Sequence, residues 1–115
     1  RSFMLSRKAL ALASLCTIVC GVASGAAAED FKSAKFLTYP AESQTSYINS
    51  SVLMAGLVAA QNSADQAKCI GDWSGKHLSG GYQPVIAAMQ RFPDHHPTGV
   101  IIAVLQKACG SFKYK

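Results

Sequence analysis

Beyond residue 43 the apolar side chains return every three or four positions, a spacing that lays them along one face of a helix. Over residues 43–61, Tyr47, Ile48, Val52, Ala55, Leu57, Val58 and Ala59 keep this period, and Leu53 and Met54 widen the apolar face. The pattern predicts a helix capped by Ser43 or Thr45 and central in the fold, with neighbours on more than one side. Gln61-Asn62 interrupts the run, and Ser63-Ala64-Asp65-Gln66 then has the S-x-x-Q form of a capping box. A second helix is predicted over 64–77, with Ala67, Ile70 and Trp73 turned inward, Cys69 near that face and Trp73 as a core anchor. Ser79-Gly80-Gly81 is a turn. A third helix over 82–91 tolerates Pro84 in its first turn and faces inward through Val85, Ile86 and Met89. Phe92-Pro93 ends it. A fourth starts near Thr98, buries Val100, Ile101, Val104, Leu105 and Ala108, and stops at Gly110, a residue suited to the position after a helix. Residues 29–42 read as an extended or irregular arm that docks through Phe31, Phe36, Leu37 and Tyr39. Nowhere is the period-two alternation of a strand sustained. The expected fold is all-α, a small bundle of about four helices forming one domain over residues 29–115.

The first 28 residues have a different character. Met4-Leu5-Ser6-Arg7-Lys8 is a positively charged start with Met4 as initiator. Residues 9–22 are uncharged and mostly apolar, and Ala26-Ala27-Ala28 offers small side chains at both specificity positions of a signal peptidase. A membrane-spanning helix needs about 20 apolar residues, and this run becomes a Gly/Ala/Ser string first. Cys16 follows Leu15 and Cys20 follows Val19, so neither has the small preceding residue that lipidation requires. Residues 1–28 are therefore expected to be a cleaved signal peptide, and the product to be periplasmic or secreted with no membrane attachment.

Cleavage would change both the charge and the cysteine count. The whole chain carries a formal +5, but residues 29–115 hold eight Lys/Arg against six Asp/Glu. The high isoelectric point then reflects the leader in part and does not argue for nucleic-acid binding. The basic tail Lys113-Tyr114-Lys115 reads as a solvated terminus. Of four cysteines, Cys69 and Cys109 remain. Two cysteines in a small exported domain read as one disulfide. It would join the middle of the second helix to the end of the fourth. The alternative is a pair of free thiols for metal or redox chemistry, although no C-x-x-C is present.

Candidate chemistry is sparse. Asp94-His95-His96, between Pro93 and Pro97, is the most prominent polar motif. It offers a partner-binding loop, a pH-responsive element, or a weak metal site at His95 and His96 that His77 or Asp72 would have to complete. The ordinary reading is a rigid polar turn in which Asp94 or His96 caps the fourth helix. H-x-x-x-H and H-E-x-x-H are absent, and no G-x-S-x-G frames Ser74, Ser79 or Ser111. Gly71-Asp72-Trp73-Ser74-Gly75-Lys76 lacks the spacing of a phosphate loop, and Lys76 is followed by His77 rather than Ser or Thr. The chain is expected not to be an enzyme and to need no cofactor.

Two families of small exported helical proteins share features with this chain. Val85-Ile86-x-x-Met89-x-x-Phe92-Pro93, a second proline at Pro97, and an apolar helix ending in Ala108-Cys109-Gly110-Ser111-Phe112 are similar in layout to the Tai-type immunity proteins. Those are periplasmic proteins that neutralise peptidoglycan-cleaving toxins. Cys69 and Cys109, bridging helices in a short mature domain, also resemble the HdeA-type acid-stress chaperones. Either resemblance implies a protein that acts by binding another protein, as an inhibitor or immunity factor or as a chaperone. A metal or pH sensor built on Asp94-His95-His96 is the remaining expectation.

Overall fold

The computed structural model describes residues 31–113. The expected leader, its cleavage site, Cys16, Cys20 and the end of the basic tail lie outside these residues. Among the described residues all regular structure is helical: α1 (Ser33–Phe36), α2 (Ala41–Ala60), α3 (Ala64–His77), α4 (Gln83–Arg91) and α5 (Pro97–Cys109). The expected four-helix bundle is present as α2 to α5. α2 packs most extensively on α3, α5 touches α2, α3 and α4, and α1 rests on α4.

The core collects one stripe from each long helix. Ile48, Val52, Ala55 and Ala59 come from α2, Ile70 from α3, Val85, Ala88 and Met89 from α4, and Val100, Ile101 and Leu105 from α5. Phe36 and Tyr82 complete it, both fully buried. The fourth predicted helix turns in less of its surface than its period suggested. Val104 is only half-buried and Ala108 is exposed.

Three local differences from expectation have clear physical causes. The arm is not wholly extended, because α1 forms a single turn that seats Phe36. Its first N–H groups, which a short helix cannot satisfy itself, donate to the loop before α5: Ser33 to His95 O at 2.8 Å and Ala34 to Pro93 O at 2.9 Å. The Ser33 hydroxyl, also buried, adds a bond to His95 O at 2.7 Å. Second, α2 begins at Ala41, after Pro40 and ahead of Ser43 and Thr45. Gln44 in its first turn donates through Nε2 to Leu37 O and Tyr39 O, which closes the end of α1. Third, Trp73 is only half-buried, between His77 and Tyr82 with ring centroids at 4.8 and 5.7 Å. Tyr82 holds the core position expected of the tryptophan.

Tyr82 reaches that position through an unusual backbone. At the end of α3, Gly81 N–H bonds Leu78 O and Tyr82 N–H bonds His77 O, a Schellman-type closure that puts Gly81 at φ +74°. Tyr82 is also left-handed, at φ +57°, ψ +47°. That conformation costs a residue with a Cβ about 1–2 kcal/mol. The ring is thereby driven under α2 and α3, where its hydroxyl donates to Asn49 Oδ1 at 2.7 Å. With that proton committed, the Ser74 hydroxyl is the donor in the 2.7 Å bond to the Tyr82 oxygen.

Candidate functional site

The capping box at Ser63 forms on one side only. Ser63 Oγ accepts from Gln66 N–H at 3.2 Å. The Gln66 side chain, instead of turning back to Ser63, is buried and donates to Gly110 O and Ser111 O at 2.9 and 3.0 Å. One turn further on, Cys69 is joined to Cys109 with Cα atoms 5.7 Å apart. The disulfide and Gln66 together clamp the end of α5 to α3, and this fixes the direction of Ser111, Phe112 and Lys113.

The predicted loop is exposed but firmly held. Pro93 and His95 use their carbonyls on α1, and His95 packs edge-on to Phe92 at 5.5 Å. Of the two expected caps for α5, His96 takes the role: its Nδ1 accepts from Thr98 N–H at 3.1 Å. Exchanging His96 for Ala is expected to cost about 1 kcal/mol, read as a shift of the urea midpoint with an unchanged slope. His95 lines a shallow groove of about 270 Å³ between α4 and α5, together with Arg91 and Lys107. His77 lies on α3 against Trp73, and Asp72 bonds Lys68 at 2.9 Å, so both are engaged elsewhere. That carboxylate raises the Lys68 ammonium above the ordinary lysine range, through a hydrogen bond first and charge second. Both groups are solvent-exposed, where such a pair adds little. Among the described residues, no three His, Cys, Asp or Glu side chains converge on a metal-sized space.

The feature that sequence reasoning placed wrongly is the outer face of α2. The period suggested neighbours on more than one side, and α3 and α5 are those neighbours, but Leu57 and Val58 do not share the buried face. Ile48, Val52, Ala55 and Ala59 face the core, while Leu53, Met54, Leu57 and Val58 are 57, 62, 66 and 53 % exposed. These four follow one another at spacings of one and three or four residues and form a continuous apolar strip. Beside it, an open groove of about 590 Å³ lies between α2 and α5. Met54, Val58, Ile102 and Phe112 supply its apolar walls, and Lys113 stands as its charged group. Tyr47 Oη and Thr98 Oγ1, 3.0 Å apart, tie the two helices together. No carboxylate lines the groove. The Leu53-Met54-Leu57-Val58 cluster was visible in the sequence as an excess of apolar residues over what one face of a helix can bury.

Over the described residues, fold and surface define a small disulfide-tied helical bundle with an open apolar face on α2. No family model, curated protein or solved structure matches the chain. Among the described residues no helix is long and apolar enough to cross a membrane.

Proposed function

We propose that this is an exported protein, periplasmic or secreted, that works by binding another protein through the outer face of α2, in the manner of an inhibitor or immunity factor. The exposed Leu53-Met54-Leu57-Val58 strip is the observation that carries the reading. Fully covering a side chain of this size is worth about 1.5–3 kcal/mol. Contiguous apolar surface of this kind marks a place where something docks. The Cys69–Cys109 disulfide supports the compartment, since such bonds persist in oxidising surroundings. The polar loop at Asp94, His95 and His96 is held at its backbone and stands ready as a secondary contact.

The test is a photo-crosslinking residue in place of Leu57, in cells with the export route intact. A discrete adduct with a different protein is expected, and an adduct with a second copy of the chain alone would count against the reading. The expected adduct should disappear when Leu53 is also changed to Lys. Absence of any adduct, or one indifferent to Leu53→Lys, would defeat the proposal.

A further inference from the structure

We infer that a trough between α4 and α5 binds an acidic, partly apolar segment of a partner protein. None of its residues lies on α2, so the inference goes beyond the outer-face reading and shares with it only the loop residue His95. Three observations carry it. The first is continuity. Two open hollows of about 270 and 810 Å³ lie along the α4–α5 seam. Both are lined by Ala88 and Arg91 of α4 and by Val104 and Lys107 of α5, so they form one trough. A small-molecule site buries most of its ligand, whereas an open trough along two helices suits a length of chain.

The second observation is charge. Arg91 stands on the α4 wall, Lys107 on the α5 wall and His95 in the loop between them, and all three are exposed. Among the described residues the one ion pair joins Lys68 to Asp72, so neither wall cation has a carboxylate partner there. The carboxylates of these residues, Glu42, Asp65, Asp72 and Asp94, line neither hollow. A cation on each wall with nothing to neutralise it selects a chain that brings carboxylates of its own. Arginine takes a carboxylate through two N–H groups at once.

The third is the apolar surface between the charges. Ala88 and Val100 are buried beneath it. Phe92 lines the first hollow at 49 % exposure, and the half-buried Trp73 lines the second. The Arg91 guanidinium carbon lies 5.9 Å from the Phe92 ring centroid, so cation and ring are presented together. Aromatic rings and arginine are the residue types enriched where proteins meet. A purely polar anion would leave these rings uncovered, and a neutral apolar segment would leave the cations unpaired.

Trp73 is the only tryptophan in the chain, so its emission reports occupancy of the trough. The probes are a short synthetic glutamate-rich peptide with interspersed leucines, and its counterpart with glutamine at every glutamate. At low salt the glutamate peptide should change Trp73 emission with a midpoint between about 1 µM and 1 mM. Arg91→Gln and Lys107→Gln should each weaken it by about two- to fivefold, and the glutamine peptide should bind more weakly still. Leu57→Lys should leave the titration unchanged. Equal binding of the two peptides, or indifference to both cation exchanges, would overturn the acidic partner. Emission that moves with phosphatidylglycerol vesicles but not with the peptide would overturn it in favour of a lipid surface. A titration abolished by Leu57→Lys would place the peptide on α2 and overturn the trough. Peptide binding that persists when no adduct forms at Leu57 would remove the outer-face reading alone.

Discussion

Tyr82→Ala is expected to be among the most damaging single changes in this protein, at about 3–5 kcal/mol. The side chain is fully buried, stacks on Trp73 and holds Asn49 and Ser74 through one hydroxyl. Domains of this size have only about 5–10 kcal/mol in total, so a large unfolded fraction at 37 °C is the expected result. Tyr82→Phe keeps the ring and should cost about 1–3 kcal/mol, because it leaves buried polar groups short of a partner. The backbone supplies a further signature. At φ +57° a Cβ is a burden, so Tyr82→Gly should be less harmful than Tyr82→Ala by about 1 kcal/mol. Urea titrations of the three variants, followed by far-UV circular dichroism, check all of this. Alanine and glycine variants of equal stability would show that the left-handed turn does not govern the position.

The second large effect belongs to the disulfide. Removing it with Cys69→Ala/Cys109→Ala should cost about 4 kcal/mol on the chain-entropy model for a 40-residue separation. For a domain this small that corresponds to a fall in Tm of roughly 15–30 °C. A reductant added to the unaltered protein should produce the same fall and leave the double variant unmoved. The loss should be felt first where α5 ends. There Gln66 would be left to hold Gly110 and Ser111 without the covalent tie. Amide exchange at residues 108–112 should accelerate ahead of that at Ile48 or Met89 in the core. Uniform acceleration across the chain would mean that the bond constrains only the unfolded state.

Much of the architecture is legible from local pattern because it is made locally. The Ser63 cap, the glycine turn at 80–81, Pro84 in a first turn and Gly110 after the last helix each act within a few residues. The Cys69–Cys109 pairing is the one left once Cys16 and Cys20 are assigned to the expected leader. What was not legible depends on contacts far apart in the chain. Ser33 becomes a buried donor only because His95, 62 residues on, presents a carbonyl to it. Gln66 has the residue type of a capping box, yet its side chain is taken by Gly110 and Ser111, which lie beside it only once α5 is docked. Tyr82 displaces Trp73 from the core because two successive left-handed residues re-aim the chain, and tyrosine gives no local hint of adopting that conformation. The open face of α2 sits between these cases. Its apolar excess can be counted in the sequence, but whether the fold covers it depends on how many helices remain to do so. Among the described residues, none does once α3 and α5 have taken the inner stripe.

Methionine oxidation offers the most direct test of that open face. Met54 is 62 % exposed and Met89 is fully buried, so one short peroxide pulse compares the two in the same molecule by mass spectrometry. In dilute solution Met54 should oxidise many times faster than Met89, and adding the protein captured through Leu57 should protect Met54. Equal rates for Met54 and Met89, or a Met54 rate unchanged by that protein, would contradict a working surface on α2.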